Sequence, residues 1–228
     1  VAALAGALFF VLVVVNSSLM SGSPAATDPP QETFDYLTDH QGRFQIGAVI
    51  WGFAMSAALV WLSGLFRALR KAEGGTPDVA LVALAGGVLA ATSTITGALV
   101  EGTTATRIAD LGPAGAKVYW TMYLMSFGGT LFGLLLLIGA TAAISLRTGL
   151  FGRRFAVASA VLVPVSMVGA FTIGYASDAI QVVAGIVLLL DTAWILVVSV
   201  FLWRDPALAV PQQGAPVAPA SRAERQRI

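Results

Sequence analysis

Asp191 is the residue whose type and position most demand a chemical explanation. It stands in Leu188-Leu189-Leu190-Asp191-Thr192-Ala193-Trp194, near the middle of a long apolar run. A charged side chain at the centre of a bilayer costs about 2.5–3.5 kcal/mol even on the lenient insertion scale, which makes intramembrane acids functional candidates by default. No Lys, Arg or His lies at comparable depth in any other apolar run, so its partners are expected to be hydroxyls. With a helical rise of about 1.5 Å per residue, Ser56, Thr94, Ser126 and Ser166 fall near the level of Asp191. Two readings follow. One is an interhelical hydrogen bond that fixes packing, worth on the order of 1 kcal/mol. The other is a proton- or cation-binding site within a permeation path.

A second group lies on one run: Thr92, Ser93, Thr94 and Thr96, followed by Glu101 at its outer end. Hydroxyls on such helices commonly bond their own backbone or hold neighbouring helices together. If Thr94 faces Asp191, however, a polar track toward Glu101 opens. Pro164, two residues before Ser166, frees a carbonyl and offers a hinge at the depth of Asp191. Asn16 is expected among headgroups. Tyr119, Trp120 and Tyr123 read as an aromatic belt at a membrane interface, with a lipid or quinone contact as the alternative.

Other chemistries are closed off. The chain has no cysteine and one histidine, His40, so thiolate sites and a haem held between two histidines cannot be built. HExxH, P-loop lysine and GxSxG patterns are absent. Neither lysine is mid-helix, which excludes a retinal Schiff base. No enzymatic activity and no cofactor are expected. The net charge of +1 and the lack of a basic stripe give no support to nucleic-acid binding.

The elements that must position these residues are apolar. Hydrophobic residues make up 57% of the 228 and charged ones 11%, against about 45–50% and 25% in soluble domains. That excess implies a lipid bilayer as solvent. A crossing helix needs about 20 mostly apolar residues, and six runs qualify, at residues 1–20, 44–65, 79–100, 118–146, 155–175 and 180–203. The expected fold is an all-α bundle of six transmembrane helices over residues 1–205, followed by a disordered tail over 206–228 that is rich in Pro, Ala and Gln. The first run ends in small residues and also resembles a signal peptide, but its length favours a retained helix.

Orientation follows the basic residues. Arg67, Arg70, Lys71, Arg147, Arg153, Arg154, Arg204, Arg222, Arg225 and Arg227 fall on one side, ten of the thirteen basic residues in the chain. The opposite loops hold Arg43, Arg107 and Lys117 beside Asp28, Glu32, Asp35, Asp39, Glu101, Asp110 and Asp178. The basic side is expected to be cytoplasmic, with both termini inside and the plasma membrane as location. In the first outer loop, Thr27 or Asp28 can cap a short surface helix with Pro29 in its first turn and Gly42 at its end. Its apolar face would carry Phe34 and Leu37, away from Asp35 and Asp39. Residues 101–117 are expected to hold another short helix that breaks at Gly112-Pro113. Small residues at spacing four (Ala83, Gly87 and Ala91; Gly129 and Gly133; Ala170 and Gly174) invite close helix packing. A scarcity of lysine against Ala, Gly, Val and Arg suggests a GC-rich bacterial genome.

Three stretches also carry a resemblance: Glu32-Thr33-Phe34-Asp35-Tyr36-Leu37 through His40-Gln41-Gly42-Arg43; Leu65-Phe66-Arg67-Ala68-Leu69-Arg70-Lys71-Ala72-Glu73-Gly74; and Leu146-Arg147-Thr148-Gly149-Leu150-Phe151-Gly152-Arg153-Arg154. In these the chain resembles a group of uncharacterised six-helix bacterial membrane proteins, a domain of unknown function. The resemblance runs over helices two to six and implies the helix count and topology, but no catalytic residue. Two function classes remain: movement of a proton, cation or small solute, or a non-catalytic subunit or sensor that binds lipid, a partner protein or a second copy.

Overall fold

The computed structural model describes residues 1–172 and 178–205, with backbone only for 178–181. Among these residues every regular element is an α-helix, without strands: α1 (Ala2–Leu19), α2 (Pro30–Asp39), α3 (Gln41–Glu73), α4 (Asp78–Thr148), α5 (Arg153–Thr172) and α6 (Asp178–Arg204). The expected tail and the end of the fifth run, including Gly174 and Tyr175, lie outside the described residues.

Five helices are long and apolar enough to cross a membrane. One of them, α4, is long enough to supply two such segments. Its 71 residues would make a rod of about 107 Å at 1.5 Å per residue, several times the thickness of a hydrocarbon core. It does not run straight. Arg107 leaves the helical region at φ −114°, ψ 17°, and Gly112 turns at φ 61°, ψ 178°. Gly112 adopts this left-handed φ because it has no Cβ, and Pro113 brings no N–H to bond back across the bend. The break at Gly112-Pro113 is as expected. The separate short helix expected over 101–117 is instead a continuation of the first arm: the helix runs on through Glu101 and bends only from Arg107, so Glu101 stays in that arm.

The two arms, residues 78–106 and 113–148, fold back against each other. Ser93 faces Gly129, Gly97 faces Ser126, and Gly86 faces Gly133, a register that is antiparallel. At the Gly86–Gly133 crossing the backbones touch: a Cβ on Gly86 would stand 2.6 Å from Gly133 O, and one on Gly133 would collide with Ala90 N. Only hydrogen fits between these backbones; Gly133 of the spacing read from the sequence makes this contact, but its partners are Gly86 and Ala90 and not Ala83, Gly87 and Ala91.

The remaining pairs are antiparallel as well. Gly6 packs on Trp61 and Gly64 on Ala2, joining α1 to α3; Gly87 packs on Leu62, joining the first arm to α3. Gly139 meets Val163 across the second arm and α5, and Gly169 meets Val187 across α5 and α6. Because α6 also packs on α1, the six long segments close into a ring in the order α1, α3, first arm, second arm, α5, α6. The interior holds one continuous core that includes Phe9, Trp51, Trp61, Leu131, Ile138, Trp194 and Val198. The outer wall is apolar too, with Leu4, Phe53, Leu99, Val161 and Val182 exposed. Among the described residues nothing covers this surface, and apolar surface of this kind marks a contact with lipid or protein.

One end of the ring carries the exposed Arg67, Arg70, Lys71, Arg147, Arg153, Arg154 and Arg204. Here Glu73 accepts hydrogen bonds from the backbone N–H groups of Val79 (2.8 Å) and Ala80 (2.9 Å), satisfying donors that the first turn of a helix leaves free. The other end is closed by α2. This helix starts at Pro30 with Pro29 in the cap position and ends at His40 rather than Gly42. Asp28 serves the loop instead of the helix, accepting from Ala25 N–H at 2.8 Å. The face of α2 that is buried carries Thr33 and Leu37, with Phe34 half-buried and Asp35 and Asp39 exposed. Leu37 joins Phe44, Ala105, Ile108, Ala116, Trp120 and Tyr123 in a second core that plugs this end.

Candidate functional site

Asp191 stands near the middle of α6 and is 0% exposed. Its helix turns Ala184, Val187, Ile195 and Val198 inward beside it, all buried. Ser166 on α5 donates to Asp191 Oδ1 at 2.8 Å, and its hydroxyl also lies 3.0 Å from Leu162 O. Asp191 Oδ2 has no hydrogen-bond partner among the described residues. One turn along, Trp194 Nε1 donates to Ser159 Oγ at 2.8 Å, so α5 and α6 are fastened by two polar contacts. Helix α5 runs unbroken through Pro164.

Of the hydroxyls expected around Asp191, only Ser166 arrives. Ser56 is exposed and bonds back to Gly52 O at 2.9 Å. Ser126 bonds Tyr123 O at 2.7 Å and faces Gly97. Thr94 bonds Ala90 O and Thr130 Oγ1, both at 2.9 Å. The cause is the ring order: Thr94 and Ser126 sit where the two arms of α4 meet, and α5 and α6 lie beyond the second arm.

Thr94 and Thr130 do share a cavity with α6. A space of about 50 Å³ on the ring axis is lined by Phe9, Val13, Trp51, Trp61, Thr94, Thr130, Leu134, Leu188 and Thr192, among others. Asp191 is not in that lining; its side chain is turned to the α5 interface. The three threonine hydroxyls bond to one another or to their own helices, which leaves the cavity wall mostly hydrocarbon. A polar track from Thr94 to Asp191 is therefore not formed.

Toward the α2 end, Glu101 is 2% exposed and neither carboxyl oxygen has a hydrogen-bond partner among the described residues. Asn16 is 1% exposed, and its Oδ1 is likewise unpartnered. Both face Gly47 on α3: a Cβ there would stand 2.9 Å from Glu101 Oε1 and 3.0 Å from Asn16 Oδ1. The buried phenol of Tyr123 lies near enough to interact electrostatically with Glu101. Asn16 thus sits in the bundle and not among headgroups. The sequence carried a signal for this placement: Asn16 is the one amide side chain in the first apolar run, and an unpaired polar group is turned inward when the alternative is hydrocarbon.

The expected aromatic belt is overturned at two of its three positions. Trp120 and Tyr123 are buried in the α2-end core, and only Tyr119 is half-exposed. Trp120 Nε1 donates to Pro24 O at 2.8 Å, tying the loop before α2 to the second arm. Lys117 reaches the same loop, donating to Ala25 O at 3.1 Å. Burial lowers the pKa of its ammonium below the ordinary lysine value, while nearby Asp28 works in the opposite direction. His40 stacks on Tyr36 with ring centroids 4.2 Å apart and is committed to the end of α2. Among the described residues no group of three or more His, Cys, Asp or Glu side chains converges as a metal site.

No protein-family model matches this chain, and neither does any curated protein or solved structure.

Proposed function

We propose that this chain is a six-span integral protein of a bacterial plasma membrane, with both termini cytoplasmic, which moves a proton, a cation or a small solute past a polar site at Asp191. The apolar outer wall, the alternating direction of six crossing segments and the gathering of basic residues at one end support the topology. Asp191 carries the functional part of the reading. It is fully buried at mid-helix with one oxygen held by Ser166 and the other without a partner, an arrangement that hydrocarbon packing alone does not call for. Enzymatic turnover forms no part of the proposal. Its test is proton and sodium flux in proteoliposomes. Wild-type protein should support flux above empty vesicles and Asp191→Asn should lose it; equal flux in the two would end the Asp191 reading.

A second reading is favoured by the same bond to Ser166 and by the absence of Asp191 from the axial cavity lining. In it Asp191 fixes the α5–α6 pair, and the bundle is a non-transporting subunit or sensor that binds lipid, another membrane protein or a second copy. A stoichiometric partner that survives detergent exchange, together with no flux in proteoliposomes, would favour this reading.

A further inference from the structure

We propose that the outer wall between α3 and the first arm of α4 holds one phospholipid whose headgroup carries a phosphate and a primary ammonium, of the phosphatidylethanolamine type. A groove of about 540 Å³ runs there from Gln45 to Gly52 on α3, beside residues 95–107 of the first arm. Its length is about 10 Å at 1.5 Å per residue. Small residues make its floor. A Cβ on Gly102 would stand 3.3 Å from that of Ala48, and nothing lies within 4 Å of a Cβ on Gly52. Val49, Ile95 and Leu99 line the same groove and are exposed, giving apolar walls for a hydrocarbon chain.

Polarity is graded along the groove. Gln45, Thr103, Thr106 and Arg107 line the end nearer α2, and all four are exposed. In the membrane reading above, on which this site rests, that end lies at headgroup depth and the Gly52 end among acyl chains. The charges select the headgroup. Arg107 leaves the helical region where the arm begins to bend. Its Nε donates to Asp110 Oδ2 at 2.6 Å, with the two side chains 65% and 63% exposed. An exposed pair of this kind adds little to stability, so both partners are open to a ligand. No other hydrogen bond engages the guanidinium among the described residues, which leaves its remaining N–H groups for phosphate oxygens. The carboxylate of Asp110 accepts from an ammonium that has N–H bonds to give. One positive and one negative charge side by side are the complement of a zwitterionic headgroup. An anionic headgroup would leave Asp110 unmatched, and a quaternary ammonium has no N–H to donate.

The test is native mass spectrometry of the full chain in detergent, incubated with equal amounts of phosphatidylethanolamine, phosphatidylcholine and phosphatidylglycerol of one acyl composition. Wild type should retain one phosphatidylethanolamine in preference to the other two. Arg107→Ala should weaken that binding on the order of tenfold, the worth of a hydrogen bond to a charged group. Asp110→Asn should shift the preference to phosphatidylglycerol, because a guanidinium without its carboxylate then faces the groove. Gly52→Leu, which fills the trough from open space, should lower occupancy by every lipid. All three positions are exposed, and helical circular dichroism checks that each variant folds; where one does not, the other two decide by the same measurement. Equal retention of the three lipids by the wild type, a wild-type preference for either of the other two, or a dimer that keeps no lipid would overturn the proposal. So would phosphatidylethanolamine binding that stays undiminished in any folded variant. The membrane reading has its own failure, a chain that stays dispersed without detergent, so loss of the site and loss of that reading are told apart.

Discussion

At the scale of single residues, the bond from Ser166 to Asp191 should be measurable as a coupling. Removing the hydroxyl in Ser166→Ala leaves a buried carboxyl oxygen without a donor, which should cost about 1–3 kcal/mol. In an Asp191→Asn background the same change should cost less, because contacting residues are non-additive by about 0.5–3 kcal/mol. Equilibrium unfolding in detergent reads both values, and equal costs in the two backgrounds would mean that the 2.8 Å contact contributes no coupling. The burial of Asp191 was legible in the sequence, because an acid in the middle of an apolar run has to turn inward. Its partner was legible only as one of four hydroxyls. Depth along a helix follows from counting residues, but facing does not, and Ser56 at a similar depth is exposed.

At the scale of elements, the hairpin of α4 depends on two glycines meeting. Gly133→Ala places a methyl group against Ala90 N and Gly86 O, so it should destabilise by about 1–3 kcal/mol through overpacking. Gly52 is the internal control. Nothing lies within 4 Å of a Cβ there, and Gly52→Ala should be neutral or stabilising by up to about 1 kcal/mol, since alanine is the better helix former. Similar losses from both substitutions would show that the arms do not cross closely at Gly133. The six apolar runs and the break at Gly112-Pro113 were readable because length, hydropathy and backbone chemistry are local properties. The inward turn of Trp120 and Tyr123 was not. A helix that is apolar nearly all round has no polar stripe to mark its outer face, and a tryptophan near a helix end fits an interface or a core equally well. The depth of Glu101 escaped for another reason: the first arm continues past it to Arg107, and no sequence feature marks that extension.

For the whole molecule, the proposed orientation can be tested cleanly because the chain has no cysteine. Thr76, between α3 and α4 at the basic end, and Thr38, on α2 at the opposite end, are both exposed. In intact cells an impermeant maleimide should label Thr38→Cys and leave Thr76→Cys untouched until the membrane is opened. Labelling in the reverse order would invert the topology. The contact between Ser166 and Asp191 also bears on assembly. Donor and acceptor belong to consecutive antiparallel helices, so in the proposed topology α5 and α6 would enter the bilayer as one hairpin with one carboxyl oxygen already bonded. The acid would then not cross oil wholly bare, and a chain halted after α5 during synthesis would lack both the acid and the wall that closes the ring onto α1.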